Sequence, residues 1–149
     1  MIRPAKPSDL LRLNELQQKL IEFERQFDKK IKRSGAYYYL IEQILKSNDS
    51  KIFVAERSGK IIGCGLAQIR KDESNWTINE TYGHIDLMFV EEGYRNQGFG
   101  RKIMIELINW LKSKGIDEIR LKSTLFHQCF TGGIMSVKNC GMTTVMPPV

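Results

Sequence analysis

The stretch from Gly83 to Lys122 constrains the fold more than any other part of the chain. Gly83 to Val90 carries Ile85, Leu87, Met88, Phe89 and Val90, the near-continuous apolar character of a strand buried on both faces. A polar loop follows. From Phe99 to about Lys114, Ile103, Met104, Leu107, Ile108 and Leu111 fall on one side of a helix, with Arg101, Glu106, Asn109 and Lys112 toward the other. Gly115 supplies the stop, and Ile116 to Lys122 reads as a second strand. Strand, helix and strand in this order predict a parallel pair joined by a right-handed crossover.

The preceding residues predict alternating elements. Ile2 to Ala5 is short and extended, bounded by Pro4 and Pro7. Ser8 is the expected N-cap of a first helix, with Asp9 in its first turn. Leu10, Leu13, Leu16, Leu20, Phe23 and Phe27 form its buried stripe. After a break at Gly35, a second helix is expected from Tyr37 to Lys46, then a turn at Ser47 to Ser50. Lys51 to Arg57 and Ile61 to Ile69 read as a hairpin around Ser58-Gly59-Lys60. Within it, Gly63 and Gly65 predict a bulge or a close backbone approach. Arg70 to Glu80 is a longer loop, and beyond Lys122 the pattern weakens to a short helix around Gly132 to Lys138. With 149 residues and 42% hydrophobic content, the chain suits one domain spanning 1–149, with 123–149 atypical.

Composition narrows the function classes. No window approaches the roughly 20 apolar residues needed to cross a bilayer, so no membrane partner is expected. Met1 to Pro7 has no apolar signal core, which predicts a cytoplasmic location. Cys64, Cys129 and Cys140 lack metal-ligand spacing; they suit a reducing compartment as buried or idle thiols, and no metal is expected. The formal charge of +6 fits nucleic acid or polyanionic small molecules equally. No basic stripe interleaved with aromatics is present, so nucleic acid is not the expected partner.

The loop itself is more specific. In Arg95-Asn96-Gln97-Gly98-Phe99-Gly100-Arg101, two glycines flank one residue where loop becomes helix, and cations stand on either side. Amides left unpaired at a helix start, together with the positive end of its dipole, form a site for phosphate oxygens. The run is not a dinucleotide fingerprint, since no third glycine follows at the right spacing. Nor is it a P-loop, since no Gly-Lys-Ser/Thr follows. What it predicts is a pyrophosphate cradle.

Gly83 to Val90, the Tyr94 to Gly100 loop and the helix after it together resemble the GCN5-related N-acetyltransferase (GNAT) family. The element order is similar over residues 1 to about 122. The resemblance implies an α/β (α+β-like) fold, a mixed, mostly antiparallel central sheet with helices on both faces. It implies acetyl-coenzyme A as donor, coenzyme A as product, and direct transfer to an amine acceptor, either a small molecule or a protein. It also implies that the amides of Arg95, Asn96, Gln97, Gly98, Phe99, Gly100 and Arg101 hold the pyrophosphate, while the strand edge at Met88, Phe89 and Val90 takes the pantetheine arm.

Such a reaction needs a neutral, close amine and a proton for the leaving thiolate. Asp86 is the first candidate base, standing where some small-amine members of the family place a glutamate; an exposed or ion-paired strand carboxylate is the alternative. Glu80 is a second candidate, acting through water, and His84 a third, expected to share the face of Asp86. Tyr37, Tyr38 and Tyr39 are expected to line the acceptor pocket, at least one of them being core. Tyr94 reads as packing, and Glu91-Glu92 as a solvated turn. The departure from the family lies near the end, where the tyrosine that would protonate the thiolate is replaced by Val137. That change motivates a rival reading as a catalytically weak or inactive acyl-coenzyme A-binding, regulatory domain. The short C-terminal edge also makes a homodimer an expectation.

Overall fold

The computed structural model describes residues 1–76, 78, 80–122 and 143–146. Among them, one six-stranded sheet follows chain order: β1 (Ile2–Pro4), β2 (Ser50–Arg57), β3 (Lys60–Lys71), β4 (Thr81–Val90), β5 (Ile119–Lys122) and β6 (Thr143–Met146). Every neighbouring pair is antiparallel except β4 and β5, the parallel pair that the crossover pattern predicts. Three helices complete it: α1 (Leu10–Glu24), α2 (Ile41–Lys46) and α3 (Phe99–Ser113).

Strand alternation divides the core in two. Ile52, Val54, Cys64, Leu66, Leu87 and Phe89 meet Leu13, Leu16 and Leu20 of α1 and Ile41 of α2. On the opposite face, Phe53, Ala55, Ala67 and Ile85 meet Ile103, Leu107 and Leu111 of α3. The sheet is therefore covered on both sides, as expected.

Several element boundaries differ from the sequence reading, each for a visible reason. Ser8 is not the cap: Pro7–Asp9 is a 3-10 turn, and the Asp9 carboxylate accepts the Lys6 N–H at 2.7 Å while pairing with Arg3 at 2.8 Å. The second helix starts at Ile41 rather than Tyr37. The buried side chain of Gln17 accepts the amides of Tyr38 (3.0 Å) and Tyr39 (2.8 Å) and donates to the Tyr39 carbonyl (3.2 Å), holding that segment out of the helix. β5 starts at Ile119 because Ile116 N–H closes the end of α3 on the Leu111 carbonyl, 3.1 Å away. The helix expected at Gly132 to Lys138 lies outside the described residues.

Gly65 explains the close approach predicted within β3. A Cβ there would stand 2.4 Å from the Met88 sulfur and 2.8 Å from Ile103 and Leu107. β3 bulges at Ile62, beside Gly63, since Ala55 pairs with Gly63 and Glu56 with Ile61, as expected. A second bulge lies opposite Gly65, in β4. Leu66 pairs with Asp86 and Cys64 with Phe89, so Leu87 and Met88 together face Gly65 alone. Leu87 has φ +55°, and its carbonyl accepts the buried Cys64 thiol at 3.7 Å. Burial pushes that thiol up to about 12, against a weaker opposing pull from Arg12. It is a packed, inert group, as expected.

Candidate active site

The surplus residue in β4 lets Asp86 and Leu87 both lie on the face covered by α1 and α2. Leu87 extends that apolar core. Asp86 stands at its margin, where three groups surround its carboxylate. Tyr39 OH donates to Oδ2 at 2.8 Å, the Leu87 N–H donates to Oδ1 at 2.7 Å, and His84 Nε2 lies 3.8 Å from Oδ2. His84 is buried and shares this face, as the two-residue spacing requires. Burial first, and then the negative charge of Asp86, hold the Tyr39 hydroxyl well above the ordinary tyrosine range. Tyr39 is thus a protonated donor at neutral pH.

A polar line continues from this carboxylate across the sheet. Arg70 Nη2 donates to the Tyr39 hydroxyl at 3.3 Å and to Gln68 Oε1 at 2.6 Å, and Gln68 Nε2 reaches Ser50 Oγ at 3.4 Å. Ser50, Gln68 and His84 are direct cross-strand partners in β2, β3 and β4, so the sheet itself sets their spacing. Gln68 and Arg70 were not anticipated. The signal available was their two-residue spacing on a strand, hidden because the chain from Arg70 onward reads as loop. Of the three tyrosines, Tyr39 is half-buried against the core, whereas Tyr37 and Tyr38 are exposed; Tyr38 contacts Glu24. Glu80 is exposed and precedes β4, six positions before Asp86, roughly 20 Å along an extended strand. The structure does not bring it to the cluster.

Past Asp86, β4 runs toward the glycine loop. β5 pairs only with Gly83–Ile85, and among the described residues no strand continues that pairing along positions 86–90. On that side the edge at Met88, Phe89 and Val90 has no strand partner among the described residues. Gly98 caps α3 at φ +82°, and a Cβ built on it would meet no protein atom within 4 Å. The first intrahelical bond runs from Lys102 N–H to the Gly98 carbonyl, 3.1 Å, leaving the amides of Phe99, Gly100 and Arg101 ahead of it. These donors, the helix dipole and the exposed Arg101 and Lys102 suit a diphosphate. Asn96, at φ +61°, and Gln97, held by Arg57 at 2.9 Å, shape the approach.

Arg95 takes a different part. Its amide is engaged by the Glu92 carbonyl at 3.2 Å, its Nε donates to the Val90 carbonyl at 2.9 Å, and its guanidinium lies over the rings of Phe23 and Phe89. It fastens the loop to the core instead of offering its N–H to a ligand. Glu91 also departs from expectation, being buried rather than solvated. Arg12 donates to it at 2.7 Å, Lys19 is hydrogen-bonded to it, and Lys60 approaches to 3.5 Å. Burial alone would raise its carboxyl, but Lys19 and Arg12 prevail and hold it down at about 2.

No group of three His, Cys, Asp or Glu suited to a metal exists among the described residues, and none of their helices is long and apolar enough to cross a membrane. Val137, Cys129 and Cys140 lie outside those residues.

Comparison with known proteins gives a consistent picture. A family model described as the acetyltransferase (GNAT) family matches residues 15–128. The chain is similar to an IAA acetyltransferase of Azospirillum brasilense, 26% identical over 85 residues, which make up 57% of this chain and 51% of that protein. It thus spans about half the length of that curated relative. Among solved structures it is similar to an acetyltransferase from Vibrio fischeri, with 27% identity, a TM-score of 0.70, and coverage of 81% of this chain and 93% of that one. It also shares the fold of a predicted acetyltransferase with acetyl-CoA from Clostridium acetobutylicum, with 17% identity, a TM-score of 0.72, and coverage of 93% and 95%.

Proposed function

The chain belongs to the acetyltransferase (GNAT) family, and from that premise we propose that it is an acetyl-coenzyme A-dependent N-acetyltransferase that acts on a primary amine. The observation that carries the reading is the course of β4. One strand joins a fixed carboxylate at Asp86, an edge at Met88 to Val90 with no further strand partner among the described residues, and the amide-lined mouth of α3. The open space at Gly98 fits a diphosphate held by the amides of Phe99, Gly100 and Arg101. In this reading the edge of β4 hydrogen-bonds an amide-bearing arm much as it would an added strand. The C–N bond forms as the thioester C–S bond breaks, and the leaving thiolate takes up one proton.

Asp86 accepts the proton of the attacking amine, directly or through water. Tyr39 and the Leu87 amide fix the carboxylate's orientation, and His84 lies beside it as an alternative proton carrier. Glu80 has no part in the reading, given its distance along the strand.

Calorimetry with acetyl-coenzyme A and thiol release with an amine panel test it together. Wild-type protein should bind the coenzyme and release thiol in the presence of an amine. Asp86→Asn should bind it equally well, with kcat lowered by about 10²- to 10⁴-fold, the usual reach of a positioned base. Folded protein that gives no heat with acetyl-coenzyme A overturns the proposal.

A further inference from the structure

Arg70 stands out because its guanidinium touches no carboxylate directly, and reaches that of Asp86 only through the Tyr39 hydroxyl. Its Nη2 serves Gln68 and Tyr39, both neutral, and among the described residues it forms no ion pair. Arg120 on the same sheet differs, being paired with Glu118 at 2.7 Å and Asp72 at 3.3 Å. An arginine fork carries five N–H donors. Both Nη2 hydrogens are engaged, whereas the Nη1 and Nε hydrogens meet no acceptor among the described residues. Each can donate a charge-assisted hydrogen bond to a carboxylate oxygen. Asp86 balances this half-buried charge only across the Tyr39 hydroxyl, so a carboxylate bonded to the guanidinium itself would be a closer partner.

The position of this edge relates it to chemistry. The Tyr39 hydroxyl touches both Arg70 and Asp86, so cation and carboxylate face each other across the width of one oxygen. An ammonium near Asp86 and a carboxylate near Arg70 would therefore belong to one small molecule, separated by a few bonds. The segment that delivers Tyr39 also carries Lys29, Lys30, Lys32 and Arg33, all exposed except for contacts through their own backbone, which biases the approach toward anions. Resting on the transferase reading above, we infer that the acceptor is a small amino acid-like amine whose carboxylate is anchored by Arg70. The same line of contacts assigns Gln68 and Ser50 a positioning part, holding the guanidinium in place.

Matched pairs of acceptors test this: arginine with agmatine, ornithine with putrescine, and tyrosine with tyramine. The wild-type protein should acetylate the carboxylate-bearing member of at least one pair with kcat/KM at least tenfold above its decarboxylated partner. Arg70→Gln should bring that ratio close to one, mainly by raising KM for the acid, and Arg70→Lys should restore part of it. Gln68→Ala should lower the ratio without changing the affinity for acetyl-coenzyme A measured by calorimetry. Decarboxylated amines used as well as or better than the acids overturn the inference, as does a preference that survives in Arg70→Gln. If the protein binds acetyl-coenzyme A yet acetylates no member of either set, the acceptor class is wrong while the transferase reading stands. If it does not bind acetyl-coenzyme A, the transferase reading itself fails.

Discussion

At the scale of single residues, Tyr39 and Gln17 show how far apart the parts of one site lie in the chain. Asp86 and His84 sit two apart on a strand, and their shared face follows from the pleat alone. The partner of Asp86 arrives from 47 residues away, and its backbone is held by a buried carboxamide at position 17. No local pattern announces that arrangement, because Gln17 reads as one polar position of an amphipathic helix. Tyr39→Phe keeps the ring and removes only the donor to Asp86. A hydrogen bond to a charged group contributes about 1.5–3 kcal/mol, so kcat should fall roughly tenfold or more while the KM for acetyl-coenzyme A stays unchanged. Steady-state kinetics with each substrate varied in turn would show it, and an increase confined to the coenzyme KM would contradict it.

At the scale of elements, β1 to β5 and α3 were legible because apolar runs, alternation and the 3.6 period are written in side-chain type, whereas β6 was not expected. The starts of α1 and α2 were not, because a local contact of the Lys6 amide with the Asp9 carboxylate sets the first and a tertiary one from the Tyr38 amide to Gln17 sets the second. Gly65, packed under α3, and Gly98, at its start, separate the packing of the helix from its N-terminal mouth. Gly65→Ala drives a methyl into Met88, Ile103 and Leu107. Overpacking of this kind costs typically 1–3 kcal/mol, so thermal unfolding should occur at clearly lower temperature. Gly98→Ala meets no protein atom, but places a Cβ at φ +82° in the open mouth of the helix. The left-handed backbone costs it about 1–2 kcal/mol, and the coenzyme affinity should fall at least tenfold. Calorimetry beside melting curves separates the two, since only the Gly98 variant should lose more affinity than stability.

At the scale of the whole molecule, Glu91 ties the end of β4 to α1 and to the start of β3 through Lys19, Arg12 and Lys60. The sequence showed only an acidic pair at a turn, since cations from positions 12, 19 and 60 make it a buried junction. Its folded carboxyl is held at about 2, whereas an unfolded glutamate titrates near about 4.3. Between those values the unfolded chain binds more protons, so this contribution is full above the higher value and vanishes as pH falls toward the lower one. Denaturant unfolding from pH 7 to pH 3 should therefore show a loss of stability that Glu91→Gln, already weakened at pH 7, displays much less. The unanticipated bulge in β4 has a wider consequence. Remove Leu87, and Met88, Phe89 and Val90 still point to the sides they occupy now, so the alternation of the strand would be kept at the loss of one buried leucine. The kink that turns the Asp86 carboxylate toward the next amide would nevertheless vanish. Geometry at this strand is thus stored as a count of residues as well as in their kinds, and a one-residue deletion that leaves the alternation intact should be among the most damaging edits the gene could suffer.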